Sequence, residues 1–328
     1  MLINYLFIAL SGFSFGVLFI WILNNYIRRR KVLISQNIPL VGGIGMGLSF
    51  IFVSLISFLL QYGLSRQVMG IVISATIMLV FGIIDDWREL SIAAKLFVQV
   101  IATSFLILFG IKTEIVYIGN LLNIIITFIW VLGITNAFNH LDIIDGLAGG
   151  TALIVSLAFF AISLLSGDVK TIILTLALSG SILSFLIRNF PPAKIYMGNS
   201  GSHFLGFILA AIALVISYAP LERKVALLTP LLILGFPIFD SALLVLMRIS
   251  NGRSAFKKSN DHLALKLLRI RYSKKMALFL LLALCLFFSL CGLVVSQVPN
   301  PLGITVVTFV ILVSLVLTKK ISNIKIDG

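Results

Sequence analysis

The sequence predicts an all-α fold, a polytopic bundle of transmembrane helices that forms one integral-membrane domain over residues 1–328. Of these residues, 60% are hydrophobic and only 11% are charged, and the mean hydropathy is +1.17. A soluble domain of this size needs more polar surface. Charge-free runs of roughly 18 to 25 residues, the length of a membrane-crossing helix, recur along the whole chain. The alternating pattern of outer-membrane strands is absent.

These charge-free runs predict eleven spans. In chain order they fall near residues 2–24, 40–62, 67–84, 92–111, 120–138, 147–166, 169–187, 202–219, 225–247, 276–297 and 301–318. The turn signal Gln297-Val-Pro-Asn-Pro301 separates the last two. Residues 248–275 form a basic loop, and its part from Asp261 onward predicts an amphipathic surface helix with Asp261 as the N-cap.

The cations predict the orientation of the bundle. If the first residue is outside and the spans alternate, 20 of the 25 Lys and Arg residues fall on the inner side. This bias is a positive-inside signal, and it places the last residue and the basic loop inside as well. Most acidic residues fall on the same side, which fits a site for an anionic, metal-bridged ligand. The net charge of +14 thus reflects topology, and no nucleic acid is expected as a partner.

A polar stretch that begins at Asn136 lies between two apolar segments. If it is helical, Asn136, Asn139 and Asp142 form one stripe, because residues three apart lie on the same side of a helix. Amide and carboxylate oxygens on one stripe suit a hard cation or a sugar with many hydroxyl groups. The alternative is a helix end capped and broken by Asp145 and Gly146. That alternative leaves the three stripe residues unexplained.

Two adjacent carboxylates, Asp85 and Asp86, end the third span. Because like charges repel, one of them should be protonated or both should face a cation. A raised pKa would make a general base, and a charged pair would recruit magnesium. Lys95, at the start of the fourth span, could bind a phosphate as a point charge. The alternatives are a solvated helix end with Arg88 as local partner, and a Lys95 that snorkels to the interface.

Other motifs give weaker signals. The turn from Gly198 to Ser202 offers backbone amides to an anion or an amide oxygen to a metal, and its alternative is an ordinary N-cap. His203, which follows it, is expected to be structural. In the ninth span, Pro237 predicts a kink and Asp240 lies near the cytoplasmic end. The glycines of residues 42–47 predict close helix contacts.

Taken together, these residues resemble the polyprenyl-phosphate N-acetylhexosamine-1-phosphate transferase family (glycosyltransferase family 4), in its undecaprenyl-phosphate GlcNAc-1-phosphate transferase-like branch. The resemblance rests on the order and sidedness of six motifs, Pro39 to Gly43, Asp85-Asp86 with Lys95, Asn136 to Gly150, Met197 to Ser202, Pro237 to Asp240, and Asp261-His262. It implies a ten- or eleven-span helical fold with the active site in a cytoplasmic cleft. It also implies transfer of a sugar-1-phosphate from a UDP-activated N-acetylhexosamine to a polyprenyl phosphate, with release of UMP.

The resemblance further implies a metal and a set of catalytic roles. Mg²⁺, or Mn²⁺ in its place, would bridge the pyrophosphate of the UDP-sugar and be held by Asn139 and Asn199. Asp85 or Asp86 would orient or deprotonate the attacking lipid phosphate. The protein itself would supply mainly positioning and charge neutralisation, as in other phosphoryl transfers.

The remaining roles complete the site that the resemblance implies. Asp145 and His262 join the catalytic residues, with His262 in contact with the pyrophosphate or sugar. The substrate-binding residues are Lys95, Asn136, Asp142, Gly198 and Ser200. The expected partners are polyprenyl phosphate, a UDP-N-acetylhexosamine and the bacterial inner membrane, and a homodimer is left open. The product would start a cell-envelope glycan, in cell wall, lipopolysaccharide or teichoic acid synthesis.

Three positions depart from the family pattern. Asn199 stands where the family usually has a magnesium-binding aspartate, and the lost charge should weaken the metal site. His262 is the remnant of a His-x-His-His pattern, which argues against the branch that uses UDP-MurNAc-pentapeptide, and Ile143 replaces a usual Gly or Asn. Two alternatives stay open: a weakened or inactive homologue that acts as a scaffold or regulator, and a lipid-phosphate or nucleotide-sugar transporter.

Overall fold

A computed structural model describes residues 2–219, 222–250, 252 and 262–322 of the chain. In this part of the chain, every regular element is a helix except for one hairpin of two short antiparallel strands. The all-α, polytopic fold that the composition predicts is therefore confirmed. The chain forms two compact units, Met1–Ser217 and Tyr218–Gly328.

The first unit carries the hairpin and the longer run of helices. Its elements are α1 Leu2–Arg30, β1 Ile34–Ser35, β2 Ile38–Pro39, α2 Gly42–Gln61, α3 Arg66–Trp87, α4 Ile92–Leu108, α5 Gly119–Leu141, α6 Leu147–Ser166, α7 Val169–Asn189 and α8 Gly198–Val215. The described elements of the second unit are a 3-10 helix Lys224–Leu228, α9 Thr229–Ile233, α10 Gly235–Ser250, α11 Leu263–Arg269, α12 Lys274–Gln297 and α13 Asn300–Ser322.

Each of the eleven predicted spans coincides with helical structure. Within the described residues, nine helices are long and apolar enough to cross a membrane. The fourth predicted span, residues 92–111, corresponds to a shorter apolar helix, Ile92–Leu108, of 17 residues. The ninth is a bent pair of helices, Lys224–Ile233 and Gly235–Ser250, whose axes differ by 70°.

The break in the ninth predicted span lies at Leu234 rather than at Pro237, where the sequence predicts a kink. Because proline has no N–H, Pro237 cannot donate to the carbonyl of Ile233 four residues before it. Ser289 of α12 donates its hydroxyl to that carbonyl at 3.2 Å. The backbone group left free by the proline is thereby satisfied inside the second unit.

The helix predicted after Asp261 begins one residue later than expected. Asp261 lies outside the described residues, and the N-cap of α11 is His262, whose side chain makes no capping hydrogen bond. A carboxylate does cap this helix, but it comes from α10: Asp240 Oδ1 accepts the N–H of Leu263 at 3.4 Å. Lys266 is buried and donates to the carbonyl of Ile321 at 3.0 Å. One face of this helix therefore packs into its own unit, and its position at the membrane surface stays a prediction.

Helix α7 is the centre of the first unit, where it packs against α1, α2 and α6. Lipid chains are as apolar as the helices, so close packing of small residues must hold such contacts together. At the crossing of α1 and α7, a Cβ atom added to Gly180 would lie 2.2 Å from the carbonyl oxygen of Ala9. One added to Gly12 would lie 2.7 Å from the carbonyl oxygen of Ala177. The two backbones touch there.

The glycine-rich start of α2 packs against the turn that precedes α8, which confirms the predicted close contacts. A Cβ atom on Gly43 would lie 2.2 Å from the backbone nitrogen of Gly201. Gly43 also donates its N–H to the carbonyl of Met197 at 3.0 Å, and Tyr196 donates to Pro39 of the hairpin at 2.9 Å. The hairpin and α2 thus fix the backbone from which α8 starts.

Replacing Gly180 with alanine should destabilise the first unit. We expect the added methyl group to cost about 1–3 kcal/mol through overpacking against α1, and to lower the melting temperature in detergent by several degrees. Gly133→Ala is the matched control, since Gly133 is also mid-helix but an added Cβ meets nothing within 4 Å. Equal melting temperatures for the two variants would contradict the tight crossing of α1 and α7.

Candidate active site

The carboxylate of Asp86 joins the end of α3 to the start of α8. Its Oδ1 accepts the N–H of Asn199 at 2.6 Å, and its Oδ2 accepts the N–H of Ser200 at 3.0 Å. These N–H groups have no partner within the helix, and the helix dipole favours a negative charge at this end. Gly198 has φ +73°, and a Cβ there would lie 2.5 Å from Asp86 Oδ2. Only glycine suits this turn.

The neighbouring carboxylate, Asp85, has different partners. Its Oδ2 forms an ion pair with Lys95 Nζ at 2.6 Å, and its Oδ1 accepts the N–H of Leu90 at 2.8 Å. The side chain of Asp85 is fully buried, whereas that of Lys95 remains 20% exposed. The two adjacent acids therefore point to separate positive groups, which offset part of the repulsion between them. The partner of Asp85 is Lys95 rather than Arg88.

Asn139 connects α5 with α8. Its amide nitrogen donates to Asn199 Oδ1 at 3.1 Å and to Ser202 Oγ at 3.0 Å. Both asparagines are half-buried, and the amide oxygen of Asn139 accepts no hydrogen bond from a described residue. Two motifs that lie 60 residues apart in sequence thus meet through their side chains.

Asp142 and Asp145 lie in the turn between α5 and α6. The helix α5 ends at Leu141, so Asp142 caps it rather than continuing the stripe of Asn136 and Asn139. Asp145 Oδ2 accepts the N–H of Ala193 at 3.1 Å, which ties this turn to the segment before α8.

The carboxyl group of Asp142 has an unusual acidity. Desolvation by the surrounding protein atoms disfavours its charged form, and so do the negative charges of Asp86 and Asp145. Together they raise the pKa of Asp142 to about 7. The side chain of Asp142 is nevertheless exposed at the surface. A ligand can reach this group.

Asn136 lies about one turn before Asn139 on α5, and its side-chain amide pairs with that of Gln99. Its amide nitrogen donates to Gln99 Oε1 at 2.9 Å, and Gln99 donates back to Asn136 Oδ1 at 3.3 Å. Gln99 is fully buried on α4. The predicted substrate-binding residue Asn136 thus uses both ends of its amide to join α4 and α5.

Two residues that the sequence analysis does not select contribute to this region. Gln99 pairs with Asn136. In the sequence, the only indication of this role is that Gln99 is a lone amide in a charge-free run. Asn189 accepts the N–H of Gly146 at 2.9 Å and donates to the carbonyl of Ile195 at 2.9 Å, which fixes two turns at once. In the sequence it is an amide at a helix end, two residues before a pair of prolines.

The remaining predicted residues have varied positions. Ser200 is fully buried, and it contributes its backbone N–H rather than an open side chain to the cluster. His203 is also buried and packs its ring against Phe81, with ring centres 5.6 Å apart. His262 belongs to the second unit, where it is half-buried at the start of α11.

The side-chain oxygens of the first unit are of the kind that bind a hard cation, but they do not form a cluster of carboxylates around one point. Among the described residues, no group of three or more His, Cys, Asp or Glu side chains is arranged to hold a metal ion. The groups that meet are instead the two amides of Asn139 and Asn199, and the carboxylate of Asp142 is close enough to Asp86 to be affected by its charge. Oxygen ligands of this kind are those that Mg²⁺ prefers.

Sequence comparisons identify a family and several relatives of this chain. The model of glycosyl transferase family 4 matches residues 68–217, which include all the site residues of the first unit named above. The chain is 29% identical over 290 residues to the probable undecaprenyl-phosphate N-acetylglucosaminyl 1-phosphate transferase of Bacillus subtilis, over 85% of this chain and 79% of that protein. It is 31% identical over 290 residues to the decaprenyl-phosphate N-acetylglucosaminephosphotransferase of Mycobacterium leprae, over 78% of this chain and 72% of that protein.

A third relative is the undecaprenyl-phosphate alpha-N-acetylglucosaminyl 1-phosphate transferase of Thermotoga maritima, which is 29% identical over 212 residues. That match covers 65% of each chain. The similarity to these proteins thus extends well beyond the matched region of the family model. The chain belongs to glycosyl transferase family 4, the family that its motifs resemble.

Proposed function

We propose that this protein transfers N-acetylglucosamine-1-phosphate from UDP-GlcNAc to a polyprenyl phosphate, with release of UMP. The names of its relatives support the substrate classes. The observation that carries the proposal is the meeting of Asp86, Asn139 and Asn199, which come from three separate helix ends. The product, a lipid-diphosphate-linked sugar, would start a cell-envelope glycan.

The ion pair of Lys95 and Asp85 supports a role in phosphate binding. Phosphoryl transfer needs positioning and neutralisation of negative charge more than covalent participation by the protein. Asp85 is buried and holds the ammonium group in place at 2.6 Å, while part of the Lys95 side chain stays exposed. A fixed, partly exposed ammonium group stabilises a phosphate that is brought to it.

Asp86 and Asp85 then have different tasks. Asp85 is sealed and paired, so its part is to orient Lys95. Asp86 is half-buried, and it anchors the turn that presents Asn199. Of the two carboxylates, Asp86 is the one with access to the lipid phosphate, whose attack it would orient.

The metal of the proposed reaction is Mg²⁺ or Mn²⁺. Asn139 and Asn199 would hold it through their amide oxygens, with Asp142 and Asp145 as nearby carboxylates. When bound, such an ion neutralises the charge of a diphosphate. Asn199 contributes no charge, so binding would depend on the carboxylates of the turn between α5 and α6.

We further propose that the site faces the cytoplasm in a bacterial inner membrane. The motifs lie at the helix ends on the side to which the positive-inside bias assigns most cations. A soluble nucleotide sugar would reach the site from water, and the lipid phosphate would enter from the bilayer. A homodimer would not need to share this site, because the cluster is made of residues of one chain.

Purified protein with UDP-GlcNAc, undecaprenyl phosphate and Mg²⁺ should release UMP. We expect Lys95→Gln to lower kcat/KM by about a hundredfold, because a preorganised donor to the phosphate is lost. Lys112→Gln is the control, since Lys112 bonds to Asn120 away from the site. Asp85→Asn combined with Lys95→Gln avoids an unpaired buried charge and should be equally inactive but correctly folded. Absence of UMP release by the unaltered protein would contradict the proposal.

Changing Asn199 to aspartate should strengthen the metal site. We expect the Mg²⁺ concentration for half-maximal activity to fall about tenfold, because a charged ligand replaces a neutral one. Asn120→Asp adds the same charge at the exposed, opposite end of α5 and should leave the Mg²⁺ requirement unchanged. An unaltered Mg²⁺ requirement in Asn199→Asp would show that residue 199 is no ligand.

The raised pKa of Asp142 predicts a pH dependence of substrate binding. With a pKa of about 7, the group is mostly ionised at pH 8 and mostly protonated at pH 6. Only the carboxylate form attracts a cation, so we expect the KM for UDP-GlcNAc with Mg²⁺ to rise about tenfold as the pH falls across this range. In Asp142→Asn, KM should be high and change less than about twofold. A flat pH profile of KM in the unaltered protein would exclude this role.

A further inference from the structure

A recess lies in the first unit at the start of α3, the end of that helix opposite to Asp86. It has a volume of about 330 Å³, and its lining includes Phe58, Tyr62, Arg66, Gln67, Val169 and Lys170. These residues belong to the end of α2, the start of α3 and the start of α7. The proposed active site uses the opposite end of α3.

The position of this recess relates it to the membrane. Helix α3 has 22 residues, and at about 1.5 Å per residue the recess lies roughly 30 Å along the helix axis from Asp86. This distance matches the thickness of the hydrocarbon core of a bilayer. Tyr62 at its mouth is 56% exposed, and tyrosine is enriched at the boundary between lipid and water. The recess thus opens at the membrane surface opposite the proposed active site.

The charges of the recess are poorly compensated by the protein. Arg66 is the first residue of α3 and Lys170 is the second residue of α7. The N-terminal end of a helix is positive, so a cation in the first turn is unfavourable unless an anion offsets it.

The partners of these two cations are neutral. Arg66 donates to the carbonyl of Leu108, and Lys170 donates to the side-chain oxygen of Gln67. The nearest acid in sequence is Asp168, and its two oxygens accept from the backbone and hydroxyl of Thr171. Two cations and two helix ends face one recess with one carboxylate beside it, which leaves an excess of positive charge.

The recess also has an apolar part. Phe58 is buried at its base, and Val169 and the ring of Tyr62 contribute further apolar surface. A small soluble anion would leave this surface uncovered, whereas the glycerol and upper acyl groups of a lipid would cover it. We propose that the recess binds an anionic phospholipid of the membrane leaflet opposite the active site, with the phosphate between Arg66 and Lys170.

Native mass spectrometry of the full chain in detergent can test this site with phosphatidylglycerol as the probe. Each cation near such a lipid should contribute about a fivefold gain in affinity, so Arg66→Gln and Lys170→Gln should each lose about that much. The double variant should lose roughly thirtyfold for the tightest-bound lipid. Lys112→Gln, which removes a cation that does not line the recess, should change affinity less than about twofold. Arg66→Lys keeps the charge and should keep most of the binding.

Two further probes separate the sources of the anion. Phosphatidylcholine, which has no net charge, should bind more weakly than phosphatidylglycerol, and the double variant should remove this preference. Glycerol 3-phosphate should bind far more weakly, since it lacks the acyl groups. Unchanged phosphatidylglycerol affinity in the double variant, equal binding of the two lipids, or equal binding of glycerol 3-phosphate would each overturn the proposal. The measurement contains no nucleotide sugar, so its outcome is independent of the proposed transferase activity.

Discussion

The two hydrogen bonds from the first turn of α8 to Asp86 are the contacts on which the rest of the site depends. A helix that begins inside a protein has backbone N–H groups that need acceptors, and Asp86 supplies both oxygens for them. The positive φ of Gly198 brings the chain close enough for these bonds. They place Asn199 where Asn139 of α5 can reach it. One carboxylate therefore sets the relative positions of three helix ends.

The adjacent aspartates show how the fold assigns different roles to identical residues. In sequence, Asp85 and Asp86 are equivalent candidates for a base or a metal ligand. Successive residues of a helix point about 100° apart, so the two carboxylates meet different neighbours. One turns inward to Lys95 and the other turns to α8. The choice between them depends on tertiary contacts that no local pattern contains.

The helices could be predicted from the sequence because membrane spans obey a strong local rule. A run such as residues 147–166 must satisfy its backbone internally, and the structure forms a helix over Leu147–Ser166. The gathering of Asp86, Asn139 and Asn199 could be expected from the order of the motifs. The pairing of Asn136 with buried Gln99 could not, because a lone amide on α4 has no partner within reach in sequence. The position of the break at Leu234 was equally hidden, and so was the hydrogen bond from Ser289 of another helix to the carbonyl of Ile233 beside it.

The amide at position 199 changes the charge balance of the cluster. Lys95 offsets Asp85, and the positive end of α8 offsets part of the charge of Asp86. Asp142 has no such positive partner among these contacts, and burial together with the charges of Asp86 and Asp145 raises its pKa. A carboxylate at position 199 would add a further negative charge beside these groups. Asparagine avoids that repulsion when no cation is bound, and the same neutrality reduces the attraction for a cation.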